Sequence, residues 1–175
     1  MPFSLVPIVL AFVVLCVATD LRSRRIPNVI SGTAMLIGVL LNTFHAGGSG
    51  LLSSVSGLAI VTALLLPVFA VGGIGGGDVK MAGALGALLG LRVALVALWI
   101  GAALGGLTAA AHLARRGKLR ETLKGMGARL SVAVLSLSLA PLRLSDHPGP
   151  VALPYAVPLG LGALAAIVLQ GMLSQ

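Results

Sequence analysis

Long apolar runs follow one another along most of this 175-residue chain, and they constrain its fold more than any other feature. Hydrophobic residues make up 58% of the sequence and charged residues only 9%, which excludes an ordinary soluble domain. Runs of 18 or more apolar residues are typical of transmembrane helices, because a helix satisfies its own backbone hydrogen bonds in lipid. The sequence therefore predicts an all-α, polytopic membrane bundle of about six transmembrane helices, formed by a single domain over residues 1–175.

Charged or glycine-rich breaks separate the predicted spans. The spans cover about residues 3–19, 27–44, 51–71, 79–90, 93–113 and 151–173. Pro27 is expected in the first turn of the second span, where proline is tolerated, and 45–50 is expected to form a short turn.

The segment 114–150 is predicted to be a basic cytoplasmic loop. Its apolar stretch, 130–142, is short for a membrane crossing and is expected to be interfacial or re-entrant. A seventh span through this stretch is the alternative, and it would place the C-terminus inside.

The basic residues orient the spans. The chain carries twelve Lys and Arg against four Asp and Glu, a net charge of +8. With the N-terminus outside, the loops after spans one, three and five are cytoplasmic and hold eleven of the twelve bases, with Arg92 the exception. This distribution follows the positive-inside rule, so the excess charge indicates membrane topology and lipid contact rather than nucleic-acid binding.

A glycine-rich stretch with one acidic residue joins the third and fourth predicted spans. Five of the six residues 72–77 are glycine, and Asp78 and Lys80 follow. Glycine lets other groups approach the backbone closely, and a carboxylate at membrane depth marks a functional site by default. The topology places Asp20, at the end of span one, on the same cytoplasmic side as Asp78. The other two acidic residues fall in the polar loop, so this is the only acidic pair at a common depth on two helices.

Such a pair of carboxylates can do acid–base chemistry. Two carboxylates held near each other cannot both ionise cheaply, so the pair shares a proton. The ionised member can take a proton from water while the protonated member polarises a peptide carbonyl, as in aspartic proteases. The three histidines show no metal-ligand spacing and the glycine stretch lacks the G-K-[ST] ending of a phosphate loop, so neither a metal nor a cofactor is expected.

Other functions for the same residues remain open. A small transporter or proton-relay protein would use Asp20 and Asp78 as ion-coupling carboxylates. A non-catalytic assembly subunit of a secretion machine is a third class.

Structural roles are also open for individual residues. Asp78 could be the N-cap of the fourth span, where its charge suits the helix dipole. Asp20 opposes the dipole at a helix C-terminus and could be offset by a salt bridge to an arginine of the Arg22–Arg25 segment. Lys80 is either a positive-inside anchor or a group that orients substrate or tunes Asp78, although at i+2 it does not share the helical face of Asp78.

Three strings resemble the motifs of the type IV prepilin peptidase family, the GxGD-type membrane aspartyl proteases. Residues 75–81, G-G-G-D-V-K-M, resemble the motif that gives the proteases their name. Asp20 with the string Arg25-Ile26-Pro27-Asn28 resembles the first-aspartate motif, and Leu153-Pro154-Tyr155 resembles the [IL]-P-[FY] motif. The three strings occur in the family's order and spacing across most of the chain.

The resemblance implies an aspartic endopeptidase that removes the basic N-terminal leader of prepilins or pseudopilins at the cytoplasmic face of the inner membrane. Asp20 and Asp78 would be its catalytic pair. Residues in the matching motifs would support the substrate or the loop, namely Gly75, Gly77, Lys80, Pro27 and Pro154.

The chain is similar to the short, tight-adherence (Flp) members of the family. The larger members add an N-terminal domain with paired CxxC motifs that accompanies methylation, whereas this chain has one cysteine, Cys16. The expected partners are the prepilin substrate and membrane lipid, and self-association into a homo-oligomer is left open.

Overall fold

The computed structural model describes residues 5–23, 25–70, 73–117, 120, 125 and 155–173. Four helices account for most of them: α1 (Leu5–Ser23), α2 (Asn28–Ala70), α3 (Gly76–Arg115) and α4 (Ala156–Leu173). Each is long and apolar enough to cross a membrane, and the described residues contain no strand. The all-α, membrane-embedded fold class is therefore confirmed. Most of the predicted basic loop, its apolar stretch 130–142 and Pro154 lie outside the described residues.

The number of helices is smaller than predicted, because α2 and α3 each join two predicted spans. In each case one glycine turns the backbone and the helix resumes at once. Gly47 has φ 57° and ψ −137°, and Gly90 has φ 72° and ψ 166°, a conformation that side chains of other residues disfavour. The turn expected at 45–50 is thus a one-residue bend. The described residues form four continuous helices rather than about six, but the bends divide α2 and α3 into two arms each, and these four arms correspond to predicted spans two to five.

The bend in α2 folds the helix back on itself. Asn42 Nδ2 donates a hydrogen bond to Ser54 Oγ at 2.9 Å. Twelve residues of straight helix would hold these side chains about 18 Å apart. The helix is therefore a hairpin with a first arm before Gly47 and a second arm after it.

The bend in α3 has the same effect. Leu159 and Gly160 are neighbours in α4, yet one lies against Gly101 and the other against Met81. A straight helix would separate those two residues of α3 by about 30 Å. Ser53 lies against Gly90, so the bends of α2 and α3 occur at the same end of the bundle.

A polar cluster of Asn42 and Ser54 satisfies the backbone at this bend end. The helix turns at Gly90, and a turn disrupts the regular backbone hydrogen bonds of the residues just before it. Asn42 Nδ2 lies 3.1 Å from the carbonyl oxygens of Ala87 and Leu88, and the Ser54 hydroxyl donates to Ala87 O at 2.7 Å. An unsatisfied carbonyl in lipid costs several kcal/mol, so two side chains of α2 stabilise the reversal of α3.

Glycine allows the backbones of α2 and α3 to touch. The carbonyl of Gly86 occupies the space where a Cβ of Gly57 would stand, and the carbonyl of Gly57 does the same to Gly86. Gly38 also lies close to the backbone of Ala87, where an added Cβ would stand 2.7 Å from the carbonyl carbon. Residues 81–90 are all buried, so the Gly/Ala-rich fourth predicted span is the core of the bundle.

Gly57→Ala should destabilise the bundle, because its methyl group meets the carbonyl of Gly86 and forces the two backbones apart. We expect the free energy of unfolding to fall by about 1–3 kcal/mol, seen as a lower thermal midpoint of the purified protein in detergent. Gly32→Ala, in the same helix but with open space around the added Cβ, is the matched control and should not lower the midpoint. Equal midpoints for the two variants would contradict the close approach.

Candidate active site

The ends of α1 and α3 bring two carboxylates to one end of the bundle. Asp20 lies near the C-terminus of α1, and Asp78 is the third residue of α3. Both side chains are half-buried, and Ile26, which follows α1, packs against Gly77, the neighbour of Asp78. This end lies opposite the bends at Gly47 and Gly90. The structure therefore places at one end of the bundle the two aspartates that the sequence predicts as a pair.

The glycine stretch orients the side chain of Asp78. The N–H of Gly75 donates to Asp78 Oδ2 at 3.2 Å, and the carbonyl of Gly75 accepts the N–H of Asp78 at 3.1 Å. Gly75 is the N-cap residue, with an extended backbone of φ −79° and ψ 151°. Asp78 is therefore not the N-cap, the structural role considered from the sequence. It satisfies the helix start from its third position, as the acidic half of a capping box does.

Hydrogen bonds hold the described part of the glycine stretch at both ends. The N–H of Gly73 donates to Val68 O at 2.8 Å, which attaches the stretch to α2. Gly75 attaches it to α3 through Asp78. Only Ile74 lies between these two anchors, so the position of Asp78 depends on the ends of both helices.

The two glycines predicted to support the site differ in what they do. A Cβ on Gly75 would lie 3.2 Å from Asp78 Oδ2, tighter than an ordinary contact, so a side chain there displaces the carboxylate. A Cβ on Gly77 would lie 3.4 Å from Ile26 Cγ1, an ordinary van der Waals distance. The geometry of Asp78 therefore requires glycine at position 75 more than at position 77.

Lys80 reaches the start of α2. Its Nζ donates to Asn28 Oδ1 at 2.7 Å, and both side chains are exposed. The sequence places Asn28 in a recognisable string but assigns it no role. The sequence contains one indication of this contact, namely that the polar residues of the two motif strings are expected at the same end of the bundle.

Pro27 stands immediately before α2, one position earlier than predicted. Its carbonyl accepts the N–H of Ile30 at 3.1 Å and the N–H of Ser31 at 3.3 Å. Pro27 therefore starts the helix as its cap residue rather than forming its first turn.

Tyr155 brings the third motif string to the same end. A Cβ on Gly105, in the second arm of α3, would lie 3.0 Å from Tyr155 Cε1. Gly105 follows the bend at Gly90 by 15 residues (105 − 90), which is about 22 Å along the second arm of α3. Asp78 precedes the same bend by 12 residues (90 − 78), which is about 18 Å along the first arm. Tyr155 and Asp78 therefore lie at similar distances from the bend. Pro154 lies outside the described residues, so its supporting role stays a prediction.

Two half-buried carboxylates at the edge of an apolar bundle can hold a proton, pass it to a substrate or take one from water. Among the described residues, no three metal-ligating side chains form a group. The fold and the site together define an all-α protein with membrane-length helices and two aspartates at one end of the bundle.

Comparison with known proteins assigns the family. The profile of the type IV leader peptidase family matches residues 7–110, more than half of the chain, and this range includes Asp20 and Asp78. The chain belongs to the type IV leader peptidase family and is a membrane peptidase, which confirms the resemblance seen in the sequence motifs. No curated protein and no solved structure matches it.

Gly75→Ala should slow peptidase activity, because its methyl group displaces the Asp78 carboxylate by a few tenths of an ångström. We expect the cleavage rate of a type IV leader substrate to fall by about tenfold, given that a 1 Å misplacement can cost about 100-fold. Gly76→Ala, whose Cβ would make only an ordinary contact of 3.4 Å with Phe69, should cleave at close to the wild-type rate. A normal rate for Gly75→Ala would show that the observed position of Asp78 is not the working one.

Proposed function

We propose that this protein is an aspartic endopeptidase that cleaves the N-terminal leader from type IV prepilins or pseudopilins at the cytoplasmic face of the inner membrane. The observation that carries the proposal is that Asp20, near the end of α1, and Asp78, in the first turn of α3, lie half-buried at the same end of the bundle. The leader peptidase family of the chain gives the reaction class.

Asp20 and Asp78 divide the chemistry of peptide hydrolysis between them. One carboxylate is protonated and donates a hydrogen bond to the carbonyl oxygen of the scissile bond. The other is ionised and takes a proton from a water molecule, whose oxygen attacks the carbonyl carbon. The tetrahedral intermediate collapses as a proton passes to the leaving amine, so neither a covalent enzyme intermediate nor a cofactor is needed.

The position of the site suits a precursor with a basic leader and an apolar helix. The apolar helix can lie in the bilayer beside the bundle, and the bond before it then meets the end of the bundle that holds Asp20 and Asp78. The peptide must be extended there, because a helical carbonyl is already hydrogen-bonded. The glycine stretch next to Asp78 presents little side-chain bulk to such a peptide.

Asp20→Asn and Asp78→Asn should each abolish processing of a tagged prepilin that is co-expressed with the protein. An amide can neither take the proton from water nor share one with its neighbour, so we expect the cleavage rate to fall by at least about 100-fold. Processing is measured as the shift of the precursor to the mature size on a gel, with the amount of each variant in the membrane fraction checked in parallel.

Glu121→Gln is the matched control, since it removes one carboxylate from the predicted loop and should leave processing intact. Full processing by either aspartate variant would exclude the two-aspartate mechanism. A wild-type protein that leaves every prepilin uncleaved but moves protons across vesicles would instead support a proton relay.

The orientation of the chain can be tested by cysteine labelling. In a Cys16→Ala background, Gly48→Cys places a thiol beside the α2 bend, and Arg116→Cys places one at the end of α3. Both positions are exposed. We expect a membrane-impermeant maleimide to label Gly48→Cys in cells with a permeabilised outer membrane, and Arg116→Cys only after the inner membrane is also broken. The reverse pattern would place the aspartates on the outer face.

A further inference from the structure

The strings that carry the two aspartates touch each other at two places. Ile26 packs against Gly77, and Asn28 Oδ1 accepts a hydrogen bond from Lys80 Nζ at 2.7 Å, although 52 residues separate these two in the sequence. Asn28 is the first residue of α2, and Lys80 lies in the second turn of α3. The bond therefore joins the starts of two helices beside the site.

The contact links the two chain segments that carry the carboxylates. Asp20 precedes Asn28 by eight residues (28 − 20), and Asp78 precedes Lys80 by two (80 − 78). Within the first segment, the Ser23 hydroxyl lies 2.8 Å from Thr19 O and 3.3 Å from Arg25 O, which holds the end of α1 to the residues that follow it. The Asn28–Lys80 contact is therefore placed where it can influence the separation of the two aspartates.

Lys80 is directed toward the start of α2. Its Nζ meets Asn28 there, where the N-terminal end of the helix carries a partial positive charge that does not itself attract a cation. The positive-inside rule accounts for a base on this side of the membrane, but not for its contact with Asn28. Lys80 is two residues beyond Asp78 and so points about 160° away from it around the helix, toward α2 rather than toward the carboxylate.

We propose that Lys80 and Asn28 form a positioning pair that sets the distance between Asp20 and Asp78. The inference rests on the proposed function. A charge-assisted hydrogen bond at the surface is modest in strength, so the pair acts mainly on the alignment of the site and little on the stability of the fold.

The test is a double-mutant cycle on prepilin cleavage by purified protein in detergent, using Lys80→Met, Asn28→Ala and both together. Each single variant should lower kcat by about tenfold with KM unchanged, because misalignment slows the chemical step without removing a substrate contact. The double variant should also be about tenfold slower rather than about 100-fold, since either change alone breaks the same contact. Lys80→Arg and Asn28→Asp keep a donor and an acceptor and should restore kcat to within about threefold of the wild type.

Arg116→Met is the control for loss of a positive charge on the same side of the membrane. Arg116 is exposed immediately after the second arm of α3 and takes no part in the Asn28–Lys80 contact, so its loss should not affect kcat. Thermal midpoints of all variants show whether a slow variant is also unfolded, and the two conservative variants keep the test decisive if Lys80→Met does not fold.

Three outcomes would overturn the positioning pair alone, provided that the wild type cleaves and the aspartate variants do not. In the first, the effects of the single variants multiply in the double variant. In the second, all variants cleave at the normal rate. In the third, Lys80→Met has a raised KM while Asn28→Ala has normal kinetics. The last would mean that Lys80 binds the substrate directly. Failure of the wild type to cleave any prepilin would overturn the proposed function and the positioning pair together.

Discussion

The backbones of α2 and α3 meet at Gly57 and Gly86, and the rest of the bundle is arranged around that contact. Lipid supplies no hydrophobic drive for helices to associate, so stability depends on close packing and on satisfied polar groups. Because glycine has no Cβ atom, the two backbones can pack closely at Gly57 and Gly86. The cluster of Asn42 and Ser54 supplies the hydrogen bonds to the backbone where α3 turns. Both features act at or near the bend end, which leaves the opposite end to form the site.

The site illustrates how one residue can serve two purposes. Asp78 accepts the N–H of Gly75 and so completes the start of α3, a role that favours a carboxylate on helical grounds alone. The same hydrogen bond fixes the carboxylate at the start of α3, the end of the bundle where Asp20 also lies. Helix capping and the proposed chemistry therefore favour the same side chain in the same orientation, and neither compromises the other.

Much of this could be predicted from the sequence, because a membrane restricts the possible structures so strongly. The apolar runs gave the fold class, and the distribution of basic residues placed Asp20 and Asp78 at the same depth. The sequence could not show that Gly47 and Gly90 each turn the chain within one residue, because a glycine-rich segment is equally compatible with a longer loop. The contact of Lys80 with Asn28 depends on the packing of two helices, which no local pattern encodes.

The bends also determine how motion reaches the site. Each arm of α3 extends about 20 Å from Gly90 to the level of Asp78 or Tyr155. If an arm rotated by about 5° about the bend at Gly90, the residues at its far end would move by about 2 Å, more than the alignment of reacting groups tolerates. Rigidity at Asn42 and Ser54 therefore contributes to the accuracy of a site some 20 Å away.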